Sequence, residues 1–535
     1  MKKTIILLFI TTVFASGCKK YLDVNNNPNQ PTVVTPNVVL SAGLTGSAVA
    51  VGIDFNAVNR YMGFWSRSGN YVADAVNEQY QFNNSMTDAD FAEEYTVLNR
   101  YHYIETAGTI NGLPFYVGVA KTMEALHFSR LVDIYGNVPY SQAFNPVKYE
   151  KPKYDDAATI YGELITKLDS AVTVFQAAAT YYKSAPKTQI TTDDQYDLIF
   201  GRGAGVAPAL RMTEWIQLAN TIKLMLLLHE AAPGVITDAY RTAEIAKITA
   251  NGAGYLPAGL SAAVNPGYSN TSNKQNPFYA FFETPTAANV ALGEFRANSY
   301  AIGFYNMGSD ERGNFFYGAP YTNGLPQGNY DGDPNSLTNT VTSQIGGDGD
   351  QAAYGATLAN AGTLKSSAQD QLIISDFESL FIQAEAAQRG WITGSAATFY
   401  KEAVEQSFRY LNAGLYGTGD PKDDADDYLA GNGNLTSPTN TDYVVFAGAK
   451  DPLGVIMTQK WASLNSINPI SVWTDYRRTG YPVSSILSIS HSTTHVKNAI
   501  PTRYLYPQSE LNTNSANVPV ITAPAQYGLI FWDKN

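Results

Sequence analysis

Two stretches of the chain carry side chains that could do recognition chemistry. The first, residues 60–82, contains Trp65, Asn70, Tyr71, Asp74 and Tyr80; the second, 305–330, contains Arg312, Phe316, Tyr317 and Tyr321. In both, aromatic rings alternate with amide, carboxylate or guanidinium groups. A sugar ring has an apolar face that stacks on an aromatic side chain and hydroxyls that pair with Asn, Asp or Arg. The interleaving therefore suits a polar ligand held against an aromatic platform. The same residue types also fill cores and protein-facing surfaces, and pattern alone leaves those readings open. For metals, Asp331-Gly332-Asp333 and Asp348-Gly349-Asp350 offer hard oxygen ligands. Neither fits the twelve-residue calcium loop, and Asp-Gly is ordinary turn chemistry. His491 and His495 are four apart, but in a Ser/Thr-rich segment rather than an evident helix. No metal and no cofactor is expected. The catalytic motifs are missing: there is no G-x-S-x-G, and His229-Glu230 runs into Ala-Ala-Pro instead of completing H-E-x-x-H. Gly201-x-Gly203-x-Gly205 lacks the Lys-Ser/Thr ending of a phosphate loop. Catalytic residues are expected to be none. The rival reading is a lipid-anchored surface glycoside hydrolase, because the separation of two carboxylates is a three-dimensional fact.

One further residue has reactive chemistry. Cys18 is the single cysteine, preceded by Ala15-Ser16-Gly17 and by an apolar run from Ile5 to Phe14, with Lys2 and Lys3 at the front. That order is a secretory leader ending in a lipoprotein processing site, with cleavage before Cys18 and acylation of its thiol. The apolar run is too short to span a bilayer, which takes about 20 residues. With Cys18 lipidated, no thiol remains for a disulfide, a zinc-cysteine site or a nucleophile. The expected division is a signal peptide over 1–17, a polar Asn/Pro-rich tether over 18–35, and one domain over 36–535.

Composition narrows the partners. The 535 residues include 36 Tyr and 24 Phe but only 15% charged residues. Net charge is −12, and −14 once Lys2 and Lys3 leave with the leader. An acidic, lysine-poor chain is a poor fit to nucleic acid, which rewards basic patches. It would also be repelled by anionic lipid, so membrane attachment falls to the acyl chains.

The elements that must position these groups read as helices. Residues 91–110 form one. Phe128, Leu131, Val132 and Tyr135 fall at i, i+3, i+4 and i+7 of the next, which Gly136-Asn137-Val138-Pro139 stops. Ile160, Leu164, Leu168, Val172 and Phe175 line a third face; Trp215, Leu218, Ala219, Ile222 and Leu226 a fourth. Phe377, Leu380, Phe381 and Ala384 repeat the period, and Tyr400, Val404, Phe408 and Leu411 continue it beyond a turn at 390–394. Such helices, stacked in pairs like tetratricopeptide units, would share a core. The segments 179–197, 262–286, 313–370, 412–443 and 484–525 lack helical period. Loops of that length are usually functional or ordered by packing. The fold class is mainly α, with long irregular loops and little β.

Several stretches, taken in order, resemble the SusD/RagB family of nutrient-binding outer-membrane lipoproteins. They include Cys18-Lys19-Lys20-Tyr21-Leu22-Asp23, the helix and turn Leu126–Phe144, and the helix Trp215–Leu224. Ser309-Asp310-Glu311-Arg312, Phe377–Gly390, Gln459-Lys460-Trp461, Trp473–Pro482 and Ile500–Asn514 continue the series. Met225, Glu311 and Gly201-Arg202-Gly203 depart from the family pattern at scaffold positions. The resemblance implies a non-enzymatic protein on the outer face of the outer membrane. It would capture an oligosaccharide or peptide and pass it, as a lid, to a SusC-like TonB-dependent transporter. It also implies that the two aromatic stretches approach one surface pocket, with ligand contacts from Trp65, Asn70, Tyr71, Asp74, Tyr80, Arg312, Phe316, Tyr317 and Tyr321. Asp475, Arg477 and Arg478 are expected to form ion pairs that fix the end of the chain.

Overall fold

The computed structural model describes residues 34–201, 208–283, 290–308, 310–322, 325–346, 350–351, 356–357, 361–413, 420–431 and 443–533. Cys18 and all but the last two residues of the tether lie outside them.

Ten helices form the scaffold: α1 (Pro36–Gly52), α2 (Asp88–Ile110), α3 (Pro114–Tyr135), α4 (Ala157–Tyr181), α5 (Pro208–His229), α6 (Asp238–Asn251), α7 (Asp376–Gln388), α8 (Ala396–Leu411), α9 (Pro452–Ser463) and α10 (Pro469–Thr479). Consecutive helices pack on one another from α1 through α5. The series continues as α5 on α7, α7 on α8 and α9, and α9 on α10. The helix pairs read from the 3.6-residue period are therefore present, and the fold is mainly helical. Strands are short: β1 (Trp65–Arg67) pairs with β3 (Phe295–Ala297), and β2 (Ala262–Val264) with β4 (Gln371–Ile374), both antiparallel.

Local chemistry sets the helix ends. Ser375 caps α7 by accepting from the Glu378 amide, with acidic Asp376 and Glu378 in the first turn where the helix dipole favours them. Asp156 caps α4 through the Thr159 amide, and Asn468 caps α10 ahead of Pro469. Gly136 ends α3 at φ +78°, a backbone that a residue with a Cβ adopts at a cost.

Helix α3 is the axis of the molecule. Nearly every residue from Phe115 to Tyr135 is buried, because α2, α4 and the C-terminal segment enclose it. Its polar residues find partners inside: His127 Nδ1 lies 2.6 Å from Glu94, and Arg130 Nε donates to the same carboxylate at 3.0 Å. The hydrophobic core is continuous from Leu40 to Trp532. No helix among the described residues is long and apolar enough to cross a membrane.

Several irregular segments hold more order than their sequence suggested, and two of them carry helices of ten and nine residues. Residues 179–197 include a helix, Lys187–Tyr196, and 412–443 include another, Pro421–Leu429. The first has no apolar stripe to read. Tyr116 and Tyr182 dock it by donating their hydroxyls to Asp193, the latter at 2.6 Å.

Candidate functional site

The two aromatic stretches do meet, but through buried side chains. Trp65 is 1% exposed, ringed by Phe281, Phe282 and Phe295, and its indole nitrogen donates to Ser466 Oγ at 2.8 Å. Tyr317 is fully buried; its hydroxyl donates to the Phe64 carbonyl at 2.9 Å and accepts from Asn465 Nδ2. Phe316 stacks on Tyr305 in the same core. Tyr80 is buried against Tyr61 and His495, its hydroxyl accepting from the Ser490 amide. None of these rings has a face open to a ligand. The sequence reading that put them in contact with one is corrected for a simple reason. An aromatic whose polar tip has an internal partner buries its ring at a gain.

Arg312 is likewise committed to the interior. A guanidinium has five N–H donors. In Arg312 they meet Asp310 (2.9 and 2.6 Å), Ser407 (2.9 Å), Ser463 (2.8 Å) and Gln459 (2.8 Å), while the plane lies over Phe408 and Tyr428. No donor remains for a ligand. Arg312 clamps its loop to α8 and α9. The backbone of Tyr321 pairs with Pro326, and its side chain lies outside the described residues.

Three of the nine expected residues stay at the surface, all on the loop after β1. Asn70 is exposed, and its Oδ1 accepts from the Asn339 amide at 2.7 Å. Tyr71 is half-buried, its carbonyl held by Arg67 Nη1 at 2.7 Å. Asp74 keeps a third of its side chain in solvent and accepts from Arg60 Nη1 at 2.7 Å. Burial pushes the Asp74 carboxyl up, but Arg60 and the Asn77 amide outweigh it and hold it below the usual range. Beneath this loop Arg60 bridges Asp74, Glu78 and Asp331, and Arg67 pairs with Glu78.

That ion network joins the loop to an aromatic cluster outside the predicted set. Tyr330, next to Asp331, stacks on the exposed ring of His491 at 4.0 Å and 7°. Tyr300 stands edge-on to Tyr330 and its hydroxyl lies 3.0 Å from His491 Nε2. The His491 amide donates to the Asp331 carbonyl at 2.7 Å, and Ser299 N to the Asn329 carbonyl at 2.8 Å, so the loops hold each other. Arg296 on β3 belongs to the same region. It is buried with its Nε unsatisfied, and among the described residues it has no ion-pair partner. Burial lowers its pKa, and the neighbouring Tyr71 offsets part of that. Nothing in the sequence flagged Tyr300 or Arg296, which the pairing of β1 with β3 brings towards the loop after β1.

The metal candidates are engaged otherwise. Asp331 faces Arg60, Asp333 accepts from the Asn335 amide, and His495 Nε2 lies by Ser490 Oγ. Asp348 is outside the described residues. Among the described residues no group of three His, Cys, Asp or Glu side chains could hold an ion. Asp475 and Arg478 form the expected ion pair at 2.6 Å, extended to Glu385 and Lys460. Arg477 reaches the carbonyls of Asp133 and Thr502, at 2.6 and 2.8 Å.

A family model described as SusD-like, starch-binding associating with outer membrane, matches residues 28–507. The chain belongs to the SusD-like family. Solved structures of the family share its fold. A SusD-like protein from Bacteroides thetaiotaomicron aligns at 18% identity and TM-score 0.69 over 94% of this chain and 99% of its own. A chitin-binding SusD homolog from Flavobacterium johnsoniae aligns at 18% identity and TM-score 0.70, over 93% and 99%. A chitin-binding protein aligns at 22% identity and TM-score 0.65, over 93% and 100%. No curated protein matches the chain. SusD-like proteins are nutrient-binding proteins associated with the outer membrane. Coverage of 93–94% of this chain means that the SusD-like scaffold is shared over nearly its whole length.

Proposed function

We propose that this protein is a non-enzymatic surface lipoprotein. It would bind a nutrient at the loop 68–78 and the Tyr300–Tyr330–His491 cluster, and deliver it as a lid to a SusC-like TonB-dependent transporter. The supporting observation is the site itself within a SusD-like chain: half-buried Tyr330 stacked on exposed His491, joined through Asp331 and Arg60 to the loop that carries Asn70, Tyr71 and Asp74. Aromatic faces next to amide and carboxylate groups suit a neutral oligosaccharide. The starch- and chitin-binding descriptions of its family and neighbours favour a glycan over a peptide. Against the glycoside hydrolase reading, the carboxylates here accept from arginines, and Asp74 is held ionised. A general acid needs the opposite shift. Acylation of Cys18 would hold the protein on the outer face of the membrane.

Calorimetric titration of the mature protein with maltoheptaose, chitohexaose and tri-alanine tests the ligand reading. Saturable heats with one glycan, weakened at least tenfold by Y71A or Y330A, are expected. Heats from tri-alanine alone would move the assignment to peptide, and release of reducing ends would overturn the binding-only reading. Purification of the tagged protein from gently solubilised outer membranes tests the partner. Recovery without a barrel protein at every detergent level would remove the lid role.

A further inference from the structure

Away from this site, a cavity of about 440 Å³ opens between the α5–α6 turn and the α7–α8 turn. The loops around Asn70 and Tyr330 contribute nothing to it. Its walls include Pro233 and Ile236 from the first turn, Arg241 from α6, and Trp391 from the second. Glu230, one residue beyond α5, also lines it. Glu230 is 4% exposed, and its Oε2 is buried with no hydrogen-bond partner. Leaving a buried carboxyl oxygen unpaired costs roughly 1–3 kcal/mol or more. The fold keeps one here, in a residue that lines a cavity large enough for a small ligand.

The opposite wall is organised too. The Arg241 guanidinium lies 4.6 Å from the centre of the Trp391 ring, and Arg389 lies 5.6 Å from it. Arg389 is held by Glu385 at 2.8 Å, and Arg241 by Asp238. The Trp391 indole is therefore fixed in place while remaining partly exposed. The cavity thus combines an aromatic and apolar surface, a guanidinium donor and a carboxyl with a free oxygen. Vicinal sugar hydroxyls match that set, since each can donate to Glu230 and accept from Arg241, while the C–H face lies on Trp391 and Pro233. Burial also raises Glu230 to about 8, so near neutrality the group is largely uncharged, and a neutral ligand meets no isolated buried charge.

We propose that the cavity between the α5–α6 and α7–α8 turns is a second, independent site for one sugar unit of a neutral glycan, read by Glu230, Arg241 and Trp391. The proposal rests on the glycan reading of the protein's function. It implies that one chain holds a long glycan at two separated points, and binds polymers more tightly than short oligomers through effective concentration.

The molecule supplies its own reporter. Of its six tryptophans, Trp65, Trp215, Trp461, Trp473 and Trp532 are fully buried, so a ligand in this cavity meets Trp391 alone. Emission is titrated with maltoheptaose, chitohexaose and tri-alanine, beside calorimetry on the same samples and on Y71A. The expected result is a saturable glycan-induced change in emission that W391F abolishes. It persists in Y71A and weakens at least tenfold in E230M, whose circular dichroism matches wild type. Calorimetric binding with silent Trp391 emission overturns the second site and leaves the main reading standing. An emission response without heats sensitive to Y71A keeps the second site and overturns the main one. A response to tri-alanine alone overturns the glycan assignment, and silence in both channels overturns both.

Discussion

At the scale of single residues, the contrast between Arg312 and Tyr71 separates scaffold from site. Arg312 is fully buried with every donor used, so R312M should cost about 3–5 kcal/mol of stability, as breaking a buried pair does. Glycan affinity measured below the melting transition should not change. Y71A should do the reverse, shifting stability by less than about 1 kcal/mol and losing affinity. Thermal melts with paired calorimetry check both, and a tenfold affinity loss in folded R312M would return Arg312 to the ligand site. A second residue-scale expectation concerns Asp54. Burial, then the nearby Asp90 and Glu94 carboxylates, raise it to about 8, and its Oδ2 has no hydrogen-bond partner. From pH 4 to 8 the folded state keeps a proton that the unfolded chain has released. Asp54 therefore takes stability away as pH rises through that window. D54N, which has no proton to lose, should gain on wild type by up to about 1.4 kcal/mol for each pH step from 4 to 8, with the gain shrinking towards pH 4. Urea midpoints across that range test it, and a pH-independent difference would refute the titration.

At the scale of elements, two helical glycines make opposite predictions. Gly118 lies where α3 crosses α4, and a Cβ there would meet the Phe175 ring at 2.7 Å. Gly162, inside α4, has nothing within 4 Å of that position. G162A should stabilise by roughly 0.5–1 kcal/mol, the ordinary helix gain. G118A should destabilise by roughly 1–3 kcal/mol, because overpacking exceeds that gain. Equal effects in chemical denaturation would mean that α3 and α4 do not approach as described. Elements are also where the sequence was most readable. The apolar periods at Phe128–Tyr135, Ile160–Phe175, Trp215–Leu226 and Phe377–Ala384 placed α3, α4, α5 and α7; α4 shows the stripe of a half-covered helix, while α3, α5 and α7 also bury the polar residues between their apolar positions. The helix Lys187–Tyr196 escaped because buried tyrosine-to-Asp193 hydrogen bonds hold it, not a stripe. The candidate site was legible only in part. Asn70, Tyr71 and Asp74 lie at the surface, yet Trp65 and Tyr317 belong to the same composition and are core. Period-two and period-3.6 patterns do not exist in a loop, so nothing local tells an inward ring from an outward one. Arg296 and Tyr300 enter only through the β1–β3 pairing, a contact over some 230 positions.

At the scale of the whole molecule, the C-terminal segment completes the core begun by α1. Trp532 is fully buried and donates to Asp133 on α3 at 3.0 Å; Tyr504 N donates to the Ile134 carbonyl at 3.1 Å. The Trp473 indole donates to the Pro501 carbonyl, and Arg477 lies 3.9 Å from the Trp473 ring centre, tying α10 into the same closure. The Glu385–Arg478–Asp475–Lys460 cluster then links α7, α9 and α10 across that core. With one apolar cluster running from Leu40 to Trp532, no stretch among the described residues has a separate interior to fold around. We expect residues 36–535 to unfold as one cooperative unit despite a length at which chains often divide. The five buried tryptophans, spread from Trp65 to Trp532, sample both ends of the chain. Tryptophan emission and far-ultraviolet dichroism should therefore give coincident denaturation curves. W532A should move that single transition to lower denaturant by the equivalent of about 3–5 kcal/mol, as large aromatic truncations do. Separated transitions in the wild type, or a W532A curve that splits while its first half stays in place, would show that the helical pairs and the C-terminal closure are independent units. The single-domain reading would then fall.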